Sequence, residues 1–383
     1  MLFSKISKFN FFILTLIILV CFPPLNTFAF TITPLETNKE LLQTEVEKIY
    51  NIRSSCLVSG DPTPLSESFD TKKKLGKYSL EHEAMRIKYL KDWSSARGIQ
   101  FKSIKSFVRI KRIMPRGNSI RLALEESYKF DYIYKDDLEP KLNSFGVGIR
   151  HTTTLVKPND KWLISSDWYT DCFEDALQSY ATDAQPYLYK QNNAKPIIAS
   201  MNYRAYDRLK AIAYADKYCG AAWGSSNDFK YNPKYMDFNG AGGDCTNFVS
   251  QALGDKEAGG LPQDGTWRCP MVKYGRATGS RAWSNADGLK NYLIYSGKGS
   301  VIKAGTFKEL TEASSEPAIS KLDFGDIVCY EKGRGNIDHF ALVTSFDSHG
   351  YPLVNSHTTD RYHVPWDLGW GDKKIRFFLI KMH

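Results

Sequence analysis

The stretch GAGGDCTNFVSQAL at residues 240–253 decides how the second half of the chain folds. Its glycines end a loop and allow close backbone approach, and Asp244 is a residue type that commonly caps a helix. Apolar residues follow at i, i+1, i+4 and i+5 from Phe248, which places them on one face of a helix. The stretch therefore predicts a buried α-helix that begins at Cys245.

Cys245 lies in the first turn of this predicted helix. The free backbone N–H groups and the positive end of the helix dipole favour a thiolate there, and the thiolate is the reactive form of cysteine. The same N–H groups can stabilise the oxyanion that forms on an attacked carbonyl. This position makes Cys245 a candidate nucleophile.

A nucleophilic cysteine needs a base held by a rigid element, and two predicted strands offer one. Residues 338–343 form a strand that opens with His339, and residues 353–357 form the next strand. Alternation along the second strand places Asn355 and His357 on one face. The sequence therefore predicts a nucleophile, a base and an orienting group on a helix packed against an antiparallel sheet.

These motifs resemble those of papain-like cell-wall cysteine hydrolases of the NlpC and CHAP types. The amino-acid sequence of these motifs is most similar to that of the putative amidase domain of secreted bacterial proteins. The matching features are Tyr203-Arg204-Ala205, Tyr214-Ala215, residues 242–251, Gly259-Gly260, Trp267, Trp283, Gly325-Asp326, Asp338-His339, His357-Thr358 and Asp360-Arg361.

The resemblance implies a papain-like fold and hydrolysis of an amide through a thioester acyl-enzyme. It implies Cys245 as nucleophile and His339 as general base and then acid. It also implies His357 as the third member of the site, with Asn355 on the same strand face as the alternative.

The first half of the chain predicts helices followed by strands. Apolar residues between Leu41 and Tyr50 and between residues 80 and 95 have helical spacing, and five strands are predicted at 101–113, 119–124, 128–134, 146–157 and 161–169. This α+β order resembles the cone-shaped nuclear-transport-factor-like and cystatin-like folds, with a W-x-I-x-x-D pattern from Trp162 to Asp167. His151, Asp167 and Asp171 are interpreted as satisfied polar groups without a catalytic role.

The length of 383 residues fits two domains. Lys5, Lys8, an apolar run and small residues ending at Ala29 predict a signal peptide at 1–29, and hence a secreted or cell-envelope protein. We expect an α+β cone-like N-terminal module at 30–190, a linker at 191–200 and a C-terminal amidase module at 201–383.

The composition restricts the class of partner. The formal net charge is +9, yet no run of five basic residues occurs, which argues against nucleic acid. Residues 201–383 hold 23 basic and 20 acidic residues, so most of the excess lies before the C-terminal module. For an exported protein this excess fits weak attraction to an anionic envelope.

The seven cysteines do not predict a metal site, because no C-x-x-C pair occurs. No cofactor is predicted. Beyond Cys21 and Cys245, five cysteines could pair in ways the sequence leaves open: Cys56, Cys172, Cys219, Cys269 and Cys329. Six cysteines in so long a mature chain are sparse for a disulfide framework.

The sequence favours a secreted cysteine amidase or peptidase that acts on amide bonds, with cell-wall peptide as the expected substrate. Two alternatives stay open: a non-catalytic binding or structural protein on the same fold, and an acyltransferase. The cleaved bond, the role of the N-terminal module and the oligomeric state are open as well.

Overall fold

The computed structural model describes residues 38–178, 206–273, 275–312, 316–370 and 374–383. The predicted signal peptide at 1–29 and the predicted linker at 191–200 lie outside these ranges. The described residues all belong to one compact unit, Leu35–His383. Within the described ranges, no helix has the length and apolar character to cross a membrane.

Two long helices begin the described chain, as predicted. Helix α1 (Lys39–Ser59) is capped by Asn38, whose side chain accepts from the Glu40 and Leu41 amides, and it ends at Gly60 with φ 74°. Of its predicted apolar face, Leu42, Val46, Ile49 and Tyr50 are buried in the core, whereas Leu41 is exposed. Helix α2 (Lys74–Ala96) packs beside α1 and strand β4.

Four antiparallel strands follow: β1 (Ile99–Arg116), β2 (Ser119–Tyr134), β3 (Asn143–Val156) and β4 (Leu163–Tyr169). The sequence predicted two strands within β2, and this was wrong. The polar residues 125–127 continue the strand because each side chain has a partner. Glu126 binds His151, Ser127 accepts from Arg109, and Glu125 pairs with Lys111.

The C-terminal module adds short helices and a second set of strands. Its helices are α4 (Arg208–Tyr218), α5 (Cys245–Gly254), α6 (Arg281–Ser284), α7 (Ala286–Tyr295) and α8 (Phe307–Thr311), and α3 (Glu174–Gln178) precedes them. Its strands are β5 (Met271–Lys273), β6 (Arg276–Thr278), β7 (Gly299–Thr306), β8 (Ile327–Glu331), β9 (His339–Phe346), β10 (Pro352–Ser356), β11 (Asp360–Pro365) and β12 (Arg376–Met382).

One sheet runs through both modules. Its strand order is β1-β2-β3-β11-β10-β9-β8-β12-β7, with β4 also paired to β3. The junction is the antiparallel pairing of β3 with β11, in which Gly148 faces Asp360. A Cβ at Gly148 would lie 2.4 Å from the Ala221 carbonyl carbon, so glycine allows the chain at 221 to pack directly on β3.

The two faces of the C-terminal part of this sheet carry different cores. On one face, Phe340 and Leu342 of β9 pack with Phe248 and Val249 of α5. On the other, Ala341 belongs to a core with Tyr330, Trp366 and Trp370. The predicted layout, a cysteine-bearing helix on an antiparallel sheet, is confirmed, and the described fold is α+β.

The six cysteines of the described residues are all free. Cys219 is buried, and Cys269 is partly exposed. The alternative of a disulfide at these two positions is therefore not observed.

A buried charged cluster stabilises the N-terminal module. It contains Arg53, Glu83, Arg86, Glu126, His151, Asp167 and Asp171. His151 lies between two carboxylates, with Nε2 3.1 Å from Glu126 and Nδ1 3.2 Å from Asp167. The interpretation of these residues as partnered polar groups agrees with the contacts.

The stabilisation that His151 contributes is expected to fall as the pH rises. Burial disfavours the His151 cation, but Asp167 and Glu126 outweigh it and raise the pKa of His151. Its contribution is therefore complete below the unfolded pKa of about 6.5 and is lost as the pH passes the higher native pKa. For one proton the slope is at most about 1.4 kcal/mol per pH unit.

Urea unfolding of the wild type and of His151→Gln, from about pH 6 to about pH 9, measures this effect. We expect the wild type to lose more free energy of unfolding over that range than the variant. Equal losses would show that the proton on His151 does not contribute.

Candidate active site

Cys245 is the first residue of α5, as predicted, and only 7% of it is exposed. Gly242 and Gly243 precede the helix with φ of 109° and 112°, a backbone conformation that favours glycine. No side chain caps the start of α5. The first amides of α5 are therefore not used by the Asp244 side chain.

The Cys245 thiol does not ionise readily in its resting environment. Burial raises its pKa, and the backbone of Phe340 and the Thr246 hydroxyl, 3.8 Å from Sγ, only partly oppose this. The negative charge of Asp244 raises the pKa further. A neighbouring group must therefore take the proton before the sulfur can attack.

Asp244 holds the preceding loop and a histidine together. The sequence predicted a helix N-cap, but its side chain makes no capping hydrogen bond. Instead Oδ1 accepts from the Phe238 amide at 3.0 Å and from Asn247 Nδ2 at 2.9 Å, and Oδ2 lies 2.6 Å from His357 Nδ1. Asp244 thus occupies the predicted N-cap position, but its carboxylate binds His357 and the preceding loop and makes no capping hydrogen bond to the helix amides.

His357 follows the last residue of β10 and is 1% exposed. Its Nε2 lies 2.8 Å from the Tyr218 carbonyl oxygen, which can only accept, so Nε2 carries a hydrogen. A proton must also lie between Nδ1 and the Asp244 oxygen, because two lone pairs would repel at 2.6 Å. The two residues form an Asp244–His357 pair that shares one proton.

Two aromatic rings hold His357 between them. Tyr231 stacks on one side at 3.8 Å between ring centroids, and Phe248 of α5 stacks on the other at 4.0 Å. Phe248 lies one helical turn after Cys245. The Asp244–His357 pair is therefore fixed against the cysteine-bearing end of α5.

The side chain of His339 lies on the other face of the sheet. It opens β9 opposite Tyr330, and its ring is 5.3 Å from that of Tyr330 and 5.1 Å from that of Trp370. The next residue, Phe340, points toward α5. Within the described residues, His339 Nε2 has no hydrogen-bond partner, and no hydrogen bond joins its ring to Cys245.

The surroundings of His339 also disfavour its charged form. Burial lowers its pKa well below the usual value, and the positive charges of Arg361 and Lys332 lower it further. The structure thus places His357 against Asp244, the residue before Cys245, and directs the predicted base His339 into the opposite core.

Asn355 lies on β10, the strand that His357 follows, and its side-chain amide makes hydrogen bonds to other groups. Its oxygen accepts from the Thr344 hydroxyl and the His363 amide, both at 2.7 Å, and Nδ2 donates to Asp216 at 2.8 Å. It does not contact His339. The alternative in which Asn355 orients His339 has no hydrogen bond to support it.

A cleft of about 540 Å³ reaches Asp244, but neither Cys245 nor His357 lines it. Strands β2 and β3 supply part of its wall, and the loop at 227–237 supplies much of the rest. Its lining includes Glu125, Arg150, Lys230, Tyr231, Asp244 and Arg276. The contribution of the N-terminal module could not be predicted, because no local pattern in the sequence connects β3 to the loop at 227–237.

Residues 205–380 match the family model described as "Putative amidase domain". The match indicates a hydrolase. It covers the whole described path from α4 to β12, including α5, β9 and β10.

A curated relative extends into the N-terminal module. The uncharacterized protein YjcM of Bacillus subtilis (strain 168) is 28% identical over 246 residues, which cover 62% of this chain. The aligned region is 47% of YjcM, so this chain spans about half the length of that relative.

Solved structures resemble a third of the chain at low identity. The intermembrane space region of the chloroplast protein ARC6 is 10% identical, covers 35% of this chain and 97% of that chain, and has a TM-score of 0.25. An NTF2-like superfamily protein from Salmonella enterica serovar Typhimurium LT2 is 14% identical, covers 34% and 90%, and has a TM-score of 0.22.

Proposed function

We propose that the protein hydrolyses amide bonds with Cys245 as its nucleophile. The observation that carries this proposal is the position of Cys245 at the start of α5, beside the Asp244–His357 pair that shares one proton. A thiol, a proton-transferring pair and uncapped helix amides are the three parts that acyl transfer from an amide requires.

The proposed chemistry balances within these groups. The sulfur of Cys245 attacks the amide carbonyl carbon, and the thiol proton replaces the shared proton of the Asp244–His357 pair as that proton passes to the departing nitrogen. The C–N bond breaks, an amine leaves and a thioester remains on Cys245. Water then attacks the thioester carbon, the C–S bond breaks, and the carboxylic acid leaves while the thiol regains a proton.

We assign the role of base to His357 in place of His339. His357 contacts both Asp244 and Phe248, the residues at i−1 and i+3 from the nucleophile. A proton acceptor must reach the sulfur directly or through one group, and His339 is directed into the opposite core. A papain-like site is thus proposed with a different histidine from the one the motifs indicate.

The substrate and location are proposed from the sequence. The predicted signal peptide and the excess of basic residues fit an exported protein that acts at an anionic envelope, where wall peptide is the available amide. An acyltransferase would use the same thioester but pass it to an amine. Product analysis with an added amine separates the two: hydrolysis yields the free acid.

The direct test is release of amines from cell-wall peptide by the purified full chain. Activity in the wild type and its loss in Cys245→Ala support the proposal. If the wild type is active and Cys245→Ala keeps that activity, the proposal is refuted.

A further inference from the structure

We infer that Arg150, on strand β3 of the N-terminal module, is a positioning residue for the Asp244–His357 pair, so that this module completes the hydrolase site. The inference rests on the proposed function and adds a residue from outside the family match, which begins at residue 205.

Arg150 holds Tyr231 against His357. Its Nη1 donates to the Tyr231 hydroxyl at 3.2 Å, and its Nη2 lies 3.0 Å from Asp360 Oδ2. The Tyr231 hydroxyl in turn donates to Asp360 Oδ1. Arg150 and the fully buried Asp360 therefore fix the phenol from two sides, and its ring is the one that stacks on His357.

A second chain of hydrogen bonds connects the same hydroxyl to the nucleophile's neighbour. Asn239 Nδ2 donates to the Tyr231 hydroxyl at 2.8 Å, and Thr358 Oγ1 donates to Asn239 Oδ1 at 2.7 Å. The amide of Asp244 donates to Thr358 Oγ1 at 2.9 Å. Tyr231 thus contacts His357 through its ring and Asp244 through two side chains.

The charge of Arg150 suits this position. Asp360 is buried and also accepts from the Ala221 amide at 2.7 Å, so without Arg150 it would lack its ionic partner in the described structure. The Tyr231 hydroxyl would then keep its hydrogen bond to Asp360, but Arg150 would no longer fix the position of either group. Loss of the guanidinium is expected to let Tyr231 and His357 move, and small displacements of a proton-transferring group slow catalysis.

The test uses the full chain with Arg150→Met, the conservative Arg150→Lys and the control Arg121→Met. Arg121 lies on neighbouring β2 and makes no ion pair within the described residues. With cell-wall peptide, Arg150→Met is expected to lower kcat by about 10- to 100-fold with little change in KM. Arg150→Lys is expected to recover part of kcat, and Arg121→Met to resemble the wild type.

An NMR measurement tests the link between Arg150 and His357 and does not depend on enzyme activity. A proton held between Nδ1 and a carboxylate at 2.6 Å gives a far-downfield proton resonance that His357→Gln removes. We expect Arg150→Met to weaken or broaden this resonance and Arg121→Met to leave it unchanged. If Arg150→Met does not fold, Tyr231→Phe keeps the ring and removes the hydroxyl contacts, and it is expected to broaden the resonance likewise.

The results separate the two proposals. A sharp resonance and unchanged kcat in Arg150→Met would overturn the positioning role, as would a rise in KM alone, which would place Arg150 on the substrate. If Cys245→Ala remained active, the proposed function would fall, but the resonance would still report whether Arg150 positions His357.

Discussion

Cys245→Ala is expected to lower amide hydrolysis by a factor on the order of 10⁴–10⁶. Alanine removes the only atom at this position that can form the thioester, and the pair and helix amides cannot replace it. The side chain is small and buried at the helix start, so the fold should persist. Rates of amine release, together with thermal melting of both proteins, measure the effect.

Cys329→Ala is the matched control for this substitution. Cys329 is also buried, lies on β8 and belongs to the same core as Phe248 and Phe340. Burial raises the pKa of its thiol well above the usual value, with Cys245 raising it further, and in the described structure no hydrogen bond joins it to the Asp244–His357 pair. We expect Cys329→Ala to retain hydrolysis. Equal loss in the two variants would point to damaged packing instead of a lost nucleophile.

His357→Gln is expected to lower kcat by about 10²- to 10⁴-fold. Glutamine retains an amide group near Tyr218 but cannot hold and release the proton shared with Asp244. Asp244→Asn removes the carboxylate from the same pair and should have an effect in the same direction. Steady-state kinetics on cell-wall peptide give the values, and circular dichroism shows whether each variant is folded.

His339→Gln tests whether the base is His339, as the sequence motif indicates, or His357, as the geometry supports. The ring of His339 contacts Tyr330 and Trp370 on the face away from α5, so its loss should affect stability more than kcat. We expect less than about a tenfold fall in kcat for this variant. A large loss in His339→Gln with near-normal turnover in His357→Gln would reverse the assignment of the base.

The local features of the C-terminal module could be predicted from the sequence. The apolar spacing after Cys245 locates α5, and the strands at His339 and Asn355 appear where alternation indicates. These predictions succeed because they depend on neighbouring residues and on the period of one element.

The face on which His339 lies could not be predicted in the same way. Alternation assigns Phe340 and Leu342 to one face and Ala341 and Val343 to the other, and both sets are apolar. Only the packing of α5 on Phe340 shows which set faces the nucleophile. The motif therefore located the strand, but the position of the helix decides which of its faces is turned toward α5.

The contribution of the N-terminal module depends on contacts distant in the chain. Gly148 pairs with Asp360, and Arg150 reaches Tyr231, through a junction that no local period indicates. The sequence predicts separate modules at 30–190 and 201–383, whereas the sheet is continuous between β3 and β11. The bounds of the two modules stay a prediction.

The most direct measurement is the site of acyl attachment during turnover. The full chain is mixed with cell-wall peptide, quenched with acid to preserve thioesters, and analysed by mass spectrometry of its proteolytic peptides. The proposed function predicts an acyl group on the peptide containing Cys245, absent in Cys245→Ala and accumulating when deacylation is slow. Amine release without any adduct on Cys245, or with the adduct on another residue, would contradict it.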